Sequence, residues 1–201
     1  GIMGTDGSIK KGHPLMTTAF LWQTLLWLMI YPGKQYIFLR DINVNKRTIR
    51  LVWYLEALSH EMFEKPQLQL SGQVNVDDLE LAFFAAVLGD GHVRDVSDRA
   101  GIELTGADKK EMDMWEEVLK RVGLPYYKGG KRLIGLGLIN ENAVKFAKIL
   151  HNTIAVKDPL LLDIMMFLAS FYDGEKLRRF WKMAMGRRKK KGRYSVELMG
   201  K

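Results

Sequence analysis

Three Asp-Gly pairs stand at nearly equal intervals along the chain: Asp6-Gly7, Asp90-Gly91 and Asp173-Gly174, the aspartates 84 and then 83 residues apart. Each follows a lead of apolar and small residues: Gly1-Ile-Met-Gly-Thr, Ala85-Ala-Val-Leu-Gly and Ala169-Ser-Phe-Tyr. One isolated Asp-Gly is only a turn signal; the regular spacing and the shared lead set these three apart. Two of the leads read as helices. Asp77 with Glu80 forms a capping box before residues 81–88, and Asp158 with Pro159 opens a helix over 160–172. A glycine then ends each helix, so the acid falls in the last turn, at the negative end of the macrodipole. A carboxylate is unfavourable there unless a cation binds beside it. Small residues in the leads let two such helices approach closely and bring two carboxylates together. Two carboxylates plus water suit a hard, oxygen-liganded divalent ion such as Mg²⁺, and paired sites of that kind drive in-line phosphoryl displacement.

The elements that must position these acids repeat as well. In the first interval, residues 20–30 are helix-like, 35–41 and 48–54 read as strands, and 56–63 as a helix. In the second, 92–96 and 102–105 read as strands. Asp108 with Glu111 then caps a helix carrying Met112, Trp115, Leu119 and Val122 until Gly123 and Pro125 stop it. Strands around Tyr126 and over 133–139 follow, and then a helix from Glu141 capped by Asn140. A Lys-Arg pair opens the late strand of both units, Lys46-Arg47 and Lys131-Arg132. The expected fold is α+β, a repeated α-β-β-α-β-β-α unit. Residues 1–75 form a first half with a truncated motif helix and 76–157 a second half. Residues 158–201 start a third, a motif helix plus a basic β-hairpin. The start at Gly1, inside the first lead, reads as a piece cut across a motif helix.

The 201 residues carry a formal net charge of +8, and its placement is informative. Residues 177–201 hold ten Lys and Arg against the single acid Glu197, so the rest of the chain is nearly neutral. Such a block points to a polyanion, above all nucleic acid. The candidate contacts are Arg178, Arg179, Lys182, Arg187, Arg188, Lys189, Lys190, Lys191 and Arg193. Apolar residues on both flanks, Phe180, Trp181, Tyr194 and Val196, read as two strands (177–185 and 193–199) joined by a basic turn. With no cysteine in the chain, disulfide scaffolds, Cys-ligated zinc and thiol catalysis are excluded. The four histidines show no metal-ligand spacing, and no Gly-rich nucleotide loop occurs. The apolar runs 19–31 and 160–172 are too short to span a bilayer. An intracellular, membrane-free protein is expected.

The segments Phe83-Phe-Ala-Ala-Val-Leu-Gly-Asp-Gly-His92 and Phe167-Leu-Ala-Ser-Phe-Tyr-Asp-Gly-Glu175 resemble the first-half and second-half motifs of the LAGLIDADG homing endonucleases. Gly1-Ile-Met-Gly-Thr-Asp-Gly7 resembles the same motif with its helix start missing. The resemblance implies a monomer with internal pseudo-two-fold symmetry, motif helices at the interface, and four-stranded sheets forming a saddle over double-stranded DNA. It implies an intron-encoded, Mg²⁺-dependent endonuclease in which Asp90 and a partner acid hold divalent metal. Motif type favours Asp173 as that partner, and completeness of the repeats favours Asp6. Lys131 and Lys46 occupy a place where the family often has a lysine near the scissile phosphate. A catalytically silent relative that binds DNA, or acts as an RNA maturase, is the alternative the same residues allow.

Overall fold

Asp108 accepts hydrogen bonds from the backbone N–H groups of Lys110 (2.8 Å) and Glu111 (3.3 Å), so a helix starts where the sequence places it. Gly123 ends that helix at φ +74°, its N–H reaching the carbonyls of Leu119 and Lys120. In this computed structural model, which describes residues 7–64, 70, 74–96, 99–130, 132–186, 188–189 and 193–194, such local signals build an α+β chain. Strands β1 (Gly7–Lys10) and β2 (His13–Thr18) precede helix α1 (Leu21–Ile30), followed by β3 (Gln35–Val44) and β4 (Ile49–Ala57). Helix α2 (Val76–Asp90) leads into β5 (His92–Val96), β6 (Arg99–Gly106), α3 (Lys109–Val122), β7 (Tyr127–Gly129) and β8 (Ile134–Ile139). Helices α4 (Glu141–Lys157), α5 (Pro159–Ser170) and α6 (Glu175–Ala184) follow. A two-residue ladder then joins β9 (Arg188–Lys189) to β10 (Arg193–Tyr194).

The repeat is expressed in the sheets. One runs β1-β2-β4-β3 and the other β5-β6-β8-β7, both wholly antiparallel and in the same order, with a helix between the second and third strand of each. The chain divides into two compact units. Residues 2–69 with Phe171–Gly174 form the N-terminal unit; Leu70–Ser170 with Glu175–Lys201 form most of the C-terminal unit.

In the N-terminal unit, Met16, Leu55 and Ala57 on one sheet face bury against Trp27 of α1, with Ile9, Leu26, Tyr31 and Met62 around them. In the C-terminal unit the apolar face of the sheet (Val93, Ile102, Leu104, Leu136, Leu138) is buried, as are Phe83, Trp115 and Phe146 of the helices. Phe83 meets Phe146 and Trp115 edge-on at centroid distances of 6.0 and 6.2 Å. Phe84 lies 4.1 Å from Phe180 of α6.

Four local expectations are corrected. Asn75, not Asp77, caps α2, its side chain accepting from the Asp77 N–H at 3.1 Å. The helix starts earlier than the capping box implied, which turns Glu80 into the core. Residues 56–63 are not helical: β4 runs to Ala57, because Leu55, Glu56 and Ala57 pair with β3 and spend their backbone groups in the ladder. Residues 177–185 are not a strand: Leu177, Phe180, Trp181 and Met183 are buried on α6, with Arg178, Arg179 and Lys182 off that face. The segment expected to begin a third half thus continues from its first helix into a second one. Finally, the Asn140 side chain does not cap α4; its backbone sits at φ +51° and donates to the Ala100 carbonyl at 2.8 Å.

Glu80 is 3% exposed and its Oε2 has no hydrogen-bond partner among the described residues. Burial, with Asp77 nearby, pushes its carboxyl up from 4.5 to about 7. The folded chain therefore holds an extra proton between those values, and its stability falls as pH rises from 4.5 through 7. E80Q keeps the shape without the charge. It should melt with the wild type near pH 4 and be more stable at pH 8 by roughly 1–3 kcal/mol. Equal melting temperatures at pH 8 would refute the buried, unpaired carboxylate.

Candidate functional site

The last turn of α2 leaves carbonyls without helical partners. Lys176 serves them: its ammonium donates to the carbonyl oxygens of Leu88 (2.9 Å) and Gly89 (2.7 Å), and at 3.3 Å to that of Val87, which also accepts the Gly91 N–H. Asp90, exposed, is the final residue of the helix. The cation that a carboxylate at a helix C-terminus calls for is thus provided in part by the chain itself. Gly91 is extended here, so its conformation needs no glycine; its space does. A Cβ would collide with the Glu103 carbonyl and with Val87. The absent side chain lets the chain turn tightly from α2 into β5.

His92 opens β5. Burial first, then the positive charge of Arg94, with Arg179 and Lys176 adding to it, holds its imidazole below the ordinary value against the opposing pull of Glu103. The ring is neutral at pH 7. Arg179 donates to the Val93 carbonyl at 3.1 Å and pairs with Glu175 at 2.6 Å. A neutral imidazole with the cations Lys176 and Arg179 acting on it therefore follows the exposed Asp90 at the junction of α2 and β5, an arrangement suited to an anionic substrate such as a phosphodiester.

The sheet face turned away from the helices continues this site. Glu103, on β6, accepts from Arg94 of β5 and from the Tyr127 hydroxyl of β7 (2.8 Å). Burial and that bond push the Tyr127 phenol up to about 12. The floor is glycine: Gly101 stands opposite Arg94, Gly137 opposite both Glu103 and Tyr127, and Gly135 opposite Thr105. A Cβ on Gly101 would collide with the Glu103 carboxylate, and one on Gly135 would lie 3.5 Å from the Tyr127 hydroxyl. These glycines let Glu103 and Tyr127 lie flat on the sheet. The N-terminal sheet repeats the chemistry with different residues. Buried Glu56 accepts from the Tyr54 hydroxyl (2.8 Å), which itself accepts from Lys10 (2.8 Å), and Tyr54 stacks on Phe38 at 4.6 Å.

The other expected site residues fall as follows. Asp173 lies not at a helix end but in the segment Phe171–Gly174, which belongs to the N-terminal unit. Its Oδ2 accepts the N–H of Leu21, so it serves the start of α1. Asp90 belongs to the C-terminal unit. Lys46 is exposed in the turn between β3 and β4, where the Asn45 side chain takes the N–H groups of Arg47 and Thr48 at 2.9 Å each. Arg178 donates to the Ala169 carbonyl at 2.8 Å, tying α6 to α5, and Lys182 is exposed. Arg188, Lys189 and Arg193 lie on the β9–β10 ladder. Asp6, Lys131, Arg187, Lys190 and Lys191 lie outside the described residues.

Lys176, Arg94, Glu103 and Tyr127 were not singled out in the sequence. A signal existed for Glu103, a lone acid in the apolar run Ala100-Gly-Ile-Glu-Leu, and the alternation Gly135-Leu-Gly-Leu138 marks a sheet face without large side chains. Comparison of the chain with protein-family models, with curated proteins and with solved structures returns no match. Among the described residues no group of three or more His, Asp or Glu could hold a metal ion. No described helix is long and apolar enough to cross a membrane.

Proposed function

We propose that this chain is a LAGLIDADG-type, site-specific endonuclease that hydrolyses phosphodiester bonds of double-stranded DNA with a divalent ion, Mg²⁺ or one like it, held by Asp90. The observation that carries the reading is the junction of α2 and β5. There an exposed Asp90 ends α2, Lys176 holds the carbonyls of that last turn, and a neutral His92 opens β5 with Lys176 and Arg179 acting on it, ahead of a β-β-α-β-β unit whose strand order is repeated in the other half of the chain. Support also comes from the open face of the C-terminal sheet, where Arg94 and Tyr127 stand opposite Gly101 and Gly137. With one exposed carboxylate, the residues fit a hydrated ion bound through Asp90, water and substrate phosphate oxygens, as Mg²⁺ commonly is. The metal would supply charge stabilisation and an activated water. Lys176 fixes the helix end that presents Asp90, and Arg179 holds α6 against β5.

One observation favours a second reading, a catalytically silent relative that binds DNA or acts as an RNA maturase. Asp173, the acid of the second-half motif, has its Oδ2 taken up by the Leu21 N–H. The test is incubation of the full chain with a randomised duplex library, with Mg²⁺ or with chelator. Metal-dependent double-strand cuts at one recurring sequence are expected. Salt-sensitive binding without cleavage would give the second reading, and no binding at low salt would refute both.

A further inference from the structure

A hollow of about 350 Å³ opens on the helix-free face of the C-terminal sheet, lined among others by Arg94, Arg99, Glu103, Tyr127 and Asn140. Its floor is the Glu103 and Tyr127 side chains, which lie low on the sheet because Gly101, Gly135 and Gly137 beneath them carry no Cβ. At its centre is an arginine whose plane is set from below. Glu103, its side chain 7% exposed, takes a donor of the Arg94 guanidinium, and the Tyr127 hydroxyl holds the same carboxylate oxygen from the other side. The Arg94 side chain itself is 45% exposed, leaving its remaining donors available to a partner. Asn140, its side chain not used to cap α4, stands at the rim.

An arginine fork matches two kinds of partner: a phosphate, or the O6 and N7 acceptors of guanine in the major groove. The neighbouring carboxylate decides between them. Glu103 would repel a phosphate placed on Arg94. The major-groove edge of guanine instead presents two adjacent uncharged acceptors, which match the donors Arg94 turns outward and meet no repulsion from the buried Glu103. We propose that Arg94, positioned by Glu103 and Tyr127, is a specificity-determining residue that reads the guanine of one G·C pair through the major groove. This rests on the duplex-DNA reading above and adds a base identity to it.

The experiment selects binding sites from a randomised duplex pool with the full wild-type chain, then repeats the selection with R94A. One position of the wild-type consensus should be G·C, preferred roughly ten- to a hundredfold. R94A should lose preference at that position and keep the rest of the consensus. E103Q, a variant of a positioning residue, should blur the same position while the other positions hold. A second measurement needs no variant. Replacing that guanine by 7-deazaguanine removes N7 and should weaken wild-type binding as R94A does. Weakening of all sequences alike by R94A, with a shallower salt dependence, would mark a phosphate contact and overturn the assignment. So would indifference of the wild type to 7-deazaguanine at every consensus guanine. Both leave the DNA reading standing, whereas a wild type that binds no duplex overturns that reading and this one together.

Discussion

D90N should lose metal-dependent cleavage by roughly a thousandfold or more while binding its DNA site as the wild type does. A barrier increase of about 4 kcal/mol corresponds to that loss, and metal-borne charge stabilisation is of this size. Asp90 is exposed and is the last residue of α2, so the amide fits without repacking. The same change should leave the fold as stable or slightly more so. A negative charge at a helix C-terminus is unfavourable by about 0.3–1 kcal/mol, and asparagine removes it. The joint result, less activity with equal or higher melting temperature, separates an acid kept for chemistry from one that merely ends a helix. Cleavage by D90N at the wild-type rate would exclude Asp90 from the reaction.

F84A should destabilise the chain by about 3–5 kcal/mol, which lowers the melting temperature by roughly 10 °C. Phe84 is 1% exposed and packs its ring 4.1 Å from that of Phe180, so the truncation leaves a cavity between α2 and α6. The consequence reaches the site, since α6 carries Lys176 and Arg179, which grip the end of α2 and the Val93 carbonyl. Thermal melting followed by circular dichroism measures the effect. V156A is the control: Val156 is 83% exposed, and the change should stay within about 0.5 kcal/mol. A loss in F84A no larger than in V156A would show that the aromatic contact does not hold α6.

The parts of the fold that are legible in the sequence are those where several local signals agree. Helix α3 has its Asp108 cap, its apolar stripe and its left-handed Gly123, and all three are realised. Strand order repeats because the pattern of elements repeats. Legibility fails where one signal is overruled by packing. The 177–185 segment carries aromatic residues that suit a strand, yet Leu177, Phe180 and Trp181 also fall on one helical face, and docking against Phe84 selects the helix. Residues 56–57 read as helix formers until their place in the ladder with β3 is known. The site divides the same way. Asp90 stands out in the sequence as a candidate because its Asp-Gly pair recurs. Arg94, Glu103 and Tyr127 do not, because their meeting depends on the register that sets Glu103 opposite Gly137 and Tyr127 opposite the same residue.

The bond between Asp173 and the Leu21 N–H spans 152 residues of sequence. During synthesis the strands of the N-terminal unit emerge long before residues 171–174, which belong to that unit. The Leu21 N–H at the start of α1 therefore gains this partner only after the C-terminal unit's sheet and most of its helices have been made. A late, non-local closure of this kind is the slow class of folding event. The unit made first is the unit completed last, and a chain stopped before residue 171 carries an N-terminal half without its final clasp.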